Sequence, residues 1–268
     1  MLTFLVALGV ALVLTRKHIL TFAALALLMV PLELAFPLRR ERRFVRPGML
    51  TDVTYFLFSA TLTAACTAAA IVVFSIPFIP LRNLDLQASL PNWASWALVV
   101  VVFMLGNYWG HRLMHETPLL WRFHAVHHSI QDMDWVASSR LHPLDTTFSQ
   151  VCTIVPMVAL GYSGAAIFPV AVFIAVLAVF QHANTRLRFP LLRWLIPTPE
   201  WHHWHHAVDR EAHDRNYGFP VVDVVFRTAF LPRDRRPEAF GIPDPVPGRN
   251  YLRQLWYPFS RRREASPG

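Results

Sequence analysis

The chain has 268 residues, of which 54% are hydrophobic and only 16% charged, with a formal net charge of +8 and a mean hydropathy of +0.35. An ordinary soluble domain carries about a quarter charged residues, so the composition excludes a typical water-soluble fold and points to a bilayer protein. The basic excess is accompanied by no nucleic-acid-binding motif. It reads as arginines that orient membrane spans and meet anionic membrane lipids, not as a nucleic-acid surface.

Residues 2–14 are apolar and end at Arg16-Lys17-His18. They lack a basic leader and an A-x-A-like cleavage site, which predicts a retained membrane segment. Residues 19–38 form a second apolar run, close to the 20 or so residues that cross a hydrocarbon core. Arg39-Arg40-Glu41-Arg42-Arg43, with Arg46 behind it, is the densest basic loop before the histidines and is assigned to the cytoplasm. A third span covers 50–80, broken by Pro77 and Pro80, and a polar connection covers 81–92. Residues 93–109 form a fourth span, opened by Trp93 and Trp96 at the interface.

The polar, histidine-rich stretch 110–146 follows, and then the apolar stretch 147–181, interrupted at Gly161-Tyr162-Ser163-Gly164. That pattern predicts a helical hairpin that enters and leaves the membrane on one side. Residues 182–268 are polar, basic and rich in proline. Cys66 and Cys152 lie inside apolar stretches and read as packing residues, with no disulfide framework and no C-x-x-C motif. The predicted fold is all-α: a single membrane domain of about four spans plus a hairpin. Its base is residues 1–109, and its cytoplasmic cap is built from 110–146 and 182–268.

Eleven of the thirteen histidines fall between His111 and His206. They form three boxes: His111-x-x-x-His115; His124-x-x-His127-His128; and His202-His203-Trp204-His205-His206, which holds a second HxxHH at 202, 205 and 206. Residues i, i+3 and i+4 share a helix face, so each HxxHH aims three nitrogen donors the same way. Eight such imidazoles exceed what one tetrahedral zinc can use and suit two metal ions. Imidazole serves zinc, copper, iron and nickel alike, so ligand type leaves the metal open. The zinc-protease HExxH is absent, because Glu116 follows His115 with no histidine three residues later.

These elements resemble the fatty acid hydroxylase / sterol desaturase superfamily. The resembling residues are His111-x-x-x-His115, Leu120-Trp121-Arg122-Phe123-His124-Ala125-Val126-His127-His128-Ser129, Arg140-Leu141-His142-Pro143, Thr198-Pro199-Glu200-Trp201-His202-His203-Trp204-His205-His206 and Asp214-Arg215-Asn216-Tyr217-Gly218. The resemblance implies an integral membrane, O2-dependent di-iron enzyme that hydroxylates or desaturates a sterol, fatty acyl, sphingoid, carotenoid or related lipid-like substrate. It implies His111, His115, His124, His127, His128, His202, His205 and His206 as iron ligands. His142 and His182 also match family positions, as ligands or as groups bonded to ligands. Where the family often shows Trp-Asp-x-x-Phe-Gly-Thr, this chain reads Val222-Asp223-Val224-Val225-Phe226-Arg227-Thr228.

Asp145, Glu200, Asp209 and Asp214 are positioned in the sequence to orient ligand imidazoles by accepting their second N–H, and Asn184 and Asn216 are placed with them. His203 projects about 100° from its neighbours on a helix and is read as a supporting or solvent-facing residue. His18 and His213 read as interface and loop residues. A separate electron-transfer partner, of ferredoxin, cytochrome or reductase type, is expected. The substrate is expected to enter from the bilayer near 93–110 and 147–181, and the host membrane is taken as a bacterial inner membrane. Two alternatives are a membrane zinc-dependent hydrolase, for which no local nucleophile or base motif appears, and a non-enzymatic metal-binding or transport protein. A transporter would place its ligands within the spans.

Overall fold

The computed structural model describes residues 2–41, 45–242 and 250–260, so Arg42 and Arg43 of the basic loop lie outside it. Helix α1 runs unbroken over Leu2–Ala35. The two apolar runs anticipated at 2–14 and 19–38 are therefore one helix. Arginine and lysine are good helix formers, so Arg16-Lys17-His18 changes the polarity of the surface without ending the backbone hydrogen bonding. Helix α2 spans Met49–Arg82. It contains one π turn at Tyr55–Ser59 and a 3-10 turn at Ile76–Phe78. Pro77 and Pro80 fall in the first positions of short helical stretches, where a missing N–H costs little, so they reshape the helix without breaking it.

The remaining helices are α3 (Asn92–Glu116), α4 (Pro118–His128), α5 (Pro143–Ala159), α6 (Gly164–Gln181), α7 (Pro199–His205), α8 (Pro220–Val225) and α9 (Tyr251–Trp256). Among the described residues there is no strand, only two isolated bridges. Among the described residues four helical stretches are long and apolar enough to cross a membrane: Arg16–Ala35 of α1, then α2, α3 and α6. Their order puts the C-terminal ends of α1, α3 and α6 and the N-terminal end of α2 at one end of the bundle. All the histidine boxes gather there.

The α5–α6 hairpin reaches the opposite end. At its tip Leu160 O accepts Gln87 N at 3.2 Å, and the Tyr162 hydroxyl donates to Ser95 O at 2.7 Å. Gly161 makes that turn at φ +98°, with an added Cβ only 2.8 Å from Asp85 Oδ1, so both conformation and space demand glycine. Helix α5 packs between α2 and α3. Its approach to α3 uses a small-xxx-small pair: a Cβ at Gly106 would lie 2.3 Å from Cys152 O, and one at Gly110 3.0 Å from Cys152 Cβ. This crossing lies one residue before His111, so it sets how close the first histidine box stands to α5.

Candidate metal centre

Each box is delivered by a helix end. The last turns of α3 present His111 and His115; α4 presents His124, His127 and His128. His182 caps the C-terminus of α6, and α7 with its cap residue presents His202, His205 and His206. Prolines at the first positions of α4 and α7 start both helices sharply, which leaves the histidines in their second and third turns.

The donor nitrogens form two groups, each with all its donor atoms within 4.8 Å of one another. Group A is His111, His115, His124, His128 and His205; group B is His127, His182, His202 and His206. The expectation that each HxxHH aims all three donors together is corrected here. In both boxes the i and i+4 residues stay in one group and the i+3 residue goes to the other. Residues i+3 and i+4 diverge by about 100° around a helix, which lets one helix feed two sites. The groups touch along a seam: the His128 and His206 rings stack at 4.4 Å, and the His202 and His205 rings at 5.3 Å.

The donor set fits two metal ions. Nε2–Nε2 separations are 3.0 Å for His111–His124, 3.1 Å for His128–His205, 3.2 Å for His127–His182, 3.0 Å for His182–His202 and 3.1 Å for His202–His206. Metal–nitrogen bonds of about 2.1 Å place neighbouring donors about 3.0 Å apart at right angles and about 3.4 Å apart in a tetrahedron. The observed spacings match the right-angled arrangement of a higher-coordinate ion. His115 Nε2, moreover, is buried with no hydrogen-bond partner, an orphan donor in need of one.

For six of the nine rings the opposite nitrogen meets a protein acceptor, which fixes ring orientation and tautomer, whereas His206 Nδ1 is buried without a partner. In group A, His124 Nδ1 donates to Asp145 Oδ2 at 2.7 Å, His205 Nδ1 to Arg215 O at 2.8 Å, and His111 Nδ1 to Tyr217 O. His115 Nδ1 lies 3.4 Å from Asp214 Oδ1. In group B, His127 Nδ1 donates to Arg140 O at 3.2 Å and His182 Nδ1 to Ala178 O at 2.6 Å.

Burial, reinforced by neighbouring imidazoles, holds His124, His127, His128, His202, His205 and His206 well below the ordinary imidazole range. Burial pushes His182 down to about 4 and lifts the Asp145 carboxyl to about 7. These imidazoles are therefore neutral and donor-ready at physiological pH.

Other predicted residues are placed differently. His142 stands outside both groups, and both its nitrogens are occupied: Nδ1 accepts Leu144 N at 3.1 Å, capping α5, and Nε2 donates to Leu255 O at 3.2 Å. It ties the C-terminal helix to the cap and has no lone pair to offer a metal. His203 is fully buried against the Phe240 ring at 5.3 Å, so its solvent-facing reading is corrected: residues after α7 fold back over it. Glu200 faces Arg188 at 3.3 Å, and Asp209 precedes a short 3-10 turn. Asn216, at φ +58°, bonds Trp201 O and both backbone groups of Phe230; Asn184 brackets the backbone of Arg39. His213 belongs to neither group, and His18 lies 3.4 Å from Thr61 Oγ1.

A buried ionic assembly went unread in the sequence. Arg46, read with the basic cytoplasmic loop, is buried and forks onto Asp134 at 2.7 Å through both Nε and Nη2, and reaches Asp52 at 2.6 Å. Asp52 also holds Arg140 at 2.6 and 3.0 Å. From α1, Glu33 Oε1 accepts Trp135 N at 2.9 Å and Asn184 N at 2.8 Å. The available signal was the presence of single acids inside apolar runs, where a charge is rarely tolerated without a role.

The comparisons accord with this geometry. The fatty acid hydroxylase family model matches residues 96–228. Ornithine lipid hydroxylase OlsE of Rhizobium tropici is 32% identical over 167 residues, covering 62% of this chain and 50% of that protein. Human alkylglycerol monooxygenase is 24% identical over 227 residues, 75% of this chain and 45% of that protein. A very-long-chain aldehyde decarbonylase of Oryza sativa subsp. indica is 26% identical over 209 residues, 70% and 29% respectively. The chain thus spans half or less of the length of these relatives. No solved structure matches. The histidine boxes and the family match agree: residues 96–228 place the chain in the fatty acid hydroxylase superfamily.

Proposed function

We propose that the protein is an O2-dependent di-iron oxidoreductase that hydroxylates or desaturates a C–H bond of a lipid-like substrate. The observation that carries this reading is the pair of adjoining histidine groups, of five and four donors, at one end of a bundle of apolar helices. Relatives named for an ornithine lipid, an alkylglycerol and a very-long-chain aldehyde support a long-chain or lipid substrate.

Iron bound to the two groups would supply reduction of O2 and the oxidising power to break an unactivated C–H bond. The chain's own residues do the rest. Their depressed basicity keeps the cap imidazoles unprotonated and available as donors. Asp145 and the carbonyls of Arg140, Ala178 and Arg215 lock the rings in place. Trp121 lies 5.2 Å from the His115 ring and 5.4 Å from His128, and Tyr217 5.2 Å from His115; these aromatic walls keep water from the donors. Electrons come from a separate carrier of ferredoxin, cytochrome or reductase type. Arg39, Arg40 and the buried Arg46 lie at the histidine end of the bundle, which supports a cytoplasmic cap on a bacterial inner membrane.

Metal content and dithionite-dependent O2 uptake of the detergent-purified protein test this. The expected result is about two irons per chain and O2 consumed on reduction. Stoichiometric zinc after iron-supplemented expression, with no O2 uptake, would overturn it in favour of a hydrolase.

A further inference from the structure

We infer that Glu33, Arg46 and Asp52, which precede the family-matched region 96–228, are positioning residues that preset metal group B. This rests on the two-metal reading above.

The supports of the two groups have different origins. Group A rings lean on Asp145, Arg215, Tyr217 and Asp214, all inside 96–228. Group B leans on the N-terminal helices. His127 is oriented by the carbonyl of Arg140 at 3.2 Å. That carbonyl belongs to a loop with no regular secondary structure between Ser139 and α5, so helix hydrogen bonds do not fix it. What fixes it is the Arg140 guanidinium, clamped in bidentate fashion by Asp52 of α2. Ser139 Oγ adds a bond to Asp52 O at 2.7 Å.

Arg46 closes the assembly by joining Asp52 to Asp134, whose Oδ1 also accepts Ala137 N at 2.8 Å in the same loop. Among the described residues two arginines meet two aspartates, all of them buried, and the geometry is enforced by the cost of leaving any member unpaired.

Glu33 performs the second half of the task. One carboxylate oxygen binds Trp135 N, beside Asp134, and Asn184 N, two residues after His182. It therefore joins the loop that aims His127 to the segment that carries His182. These two ligands stand 3.2 Å apart at Nε2. The chain segment Phe36–Arg39 strengthens the join: Arg186 N donates to Phe36 O at 2.8 Å and Leu38 N to Asn184 O at 3.3 Å. Group B thus depends on a three-way contact among α1, α2 and the cap, while the clamp meets the group A side more weakly, through Arg140 Nη1 on Ser129 O at 3.4 Å, next to His128.

The test is an anaerobic titration of the metal-free, full-length protein with Co2+, read by visible absorption and by equilibrium dialysis, with the double variant His111→Ala/His115→Ala, which removes two of the five group A donors and none of group B, as the reference for a weakened group A ion. Wild type binds two ions. Asp52→Asn, nearly isosteric, is expected to keep the group A ion at wild-type affinity and weaken the group B ion by at least about tenfold, the effect typical of lost ligand support. Arg46→Lys keeps the charge but loses the fork, and gives a milder loss in the same ion should Asp52→Asn fail to fold. Asp52→Glu is expected to recover part of the affinity. Gly161→Ala, at the far hairpin tip, lowers thermal stability and leaves both ions bound.

Two ions at unchanged affinity in both clamp variants would overturn the inference. So would a parallel loss of both ions tracking the stability loss of Gly161→Ala. A wild-type protein that binds fewer than two ions would instead remove the two-metal reading, and this inference with it.

Discussion

Groups A and B use the same ligand type at nearly the same spacing, yet they are held differently. Two carboxylates, Asp145 and Asp214, stand behind group A rings, while the acceptors behind His127 and His182 are backbone carbonyls. A carboxylate raises the basicity of the imidazole it binds more than a neutral carbonyl does. In group A that support reaches His124 and His115, while His111 and His205 lean on the carbonyls of Tyr217 and Arg215. Group B is the more adjustable one, its geometry borrowed from the helices that precede the matched domain.

The largest expected effect breaks the comparison. His128 belongs to group A but stacks on His206 of group B, so His128→Ala should disturb both groups and lower substrate-dependent O2 consumption by more than about 100-fold, beyond the effect of removing a supporting residue. Metal analysis should find fewer than two ions per chain. An intact second ion would show that the seam does not couple the sites. Next in size is Asp145→Asn, which keeps the shape but removes the charge behind His124. A loss of about tenfold in group A affinity, with group B unchanged, is expected by competition dialysis.

Acidity should act on both groups. His182 sits at about 4, below its ordinary 6.5, so the folded site stays neutral where the unfolded chain takes up a proton. Stability and metal retention are therefore steady above 6.5 and fall as pH drops from there towards about 4. Metal content measured after dialysis across that interval checks the sign; a loss on raising the pH instead would contradict it. The smallest effect should come from His142→Ala. Loss of the α5 cap costs about 1 kcal/mol, a few degrees of melting temperature, and leaves two ions bound. Loss of an ion there would restore His142 as a ligand.

The eight box histidines were legible because the i, i+3, i+4 spacing is a local property of a helix. Their partition was not, since it depends on how α4 and α7 face one another across the chain. The membrane helices were legible from apolar runs, but the junction at Arg16-Lys17-His18 was misread because polarity was taken as a helix stop. The clamp of Arg46, Asp52, Asp134 and Arg140 joins residues 88 apart in the chain, and no short-range pattern announces such a pairing.

One departure from the family pattern gains a physical meaning. Arg227 stands where glycine is usual and adopts φ +60°, a left-handed conformation that a side chain disfavours by about 1 kcal/mol or more. The neighbouring Asp223 still accepts Tyr217 N and Gly218 N at 2.9 Å and Thr228 Oγ1 at 2.7 Å, so the turn survives the exchange.

The hairpin tip pinned to the far loop carries a consequence for the lipid around it. Helix α6 has 18 residues, about 27 Å of rise, against a hydrocarbon core of about 30 Å. With its tip tied at Gln87 and Ser95, this arm cannot lengthen to suit a thicker bilayer. A bilayer that thins to match it would bring the His182 end to the level where acyl chains begin. On the proposed function, bilayer thickness would then bear on how deep a carbon along a lipid tail meets the histidine groups, and the protein would work as a depth gauge as well as a scaffold.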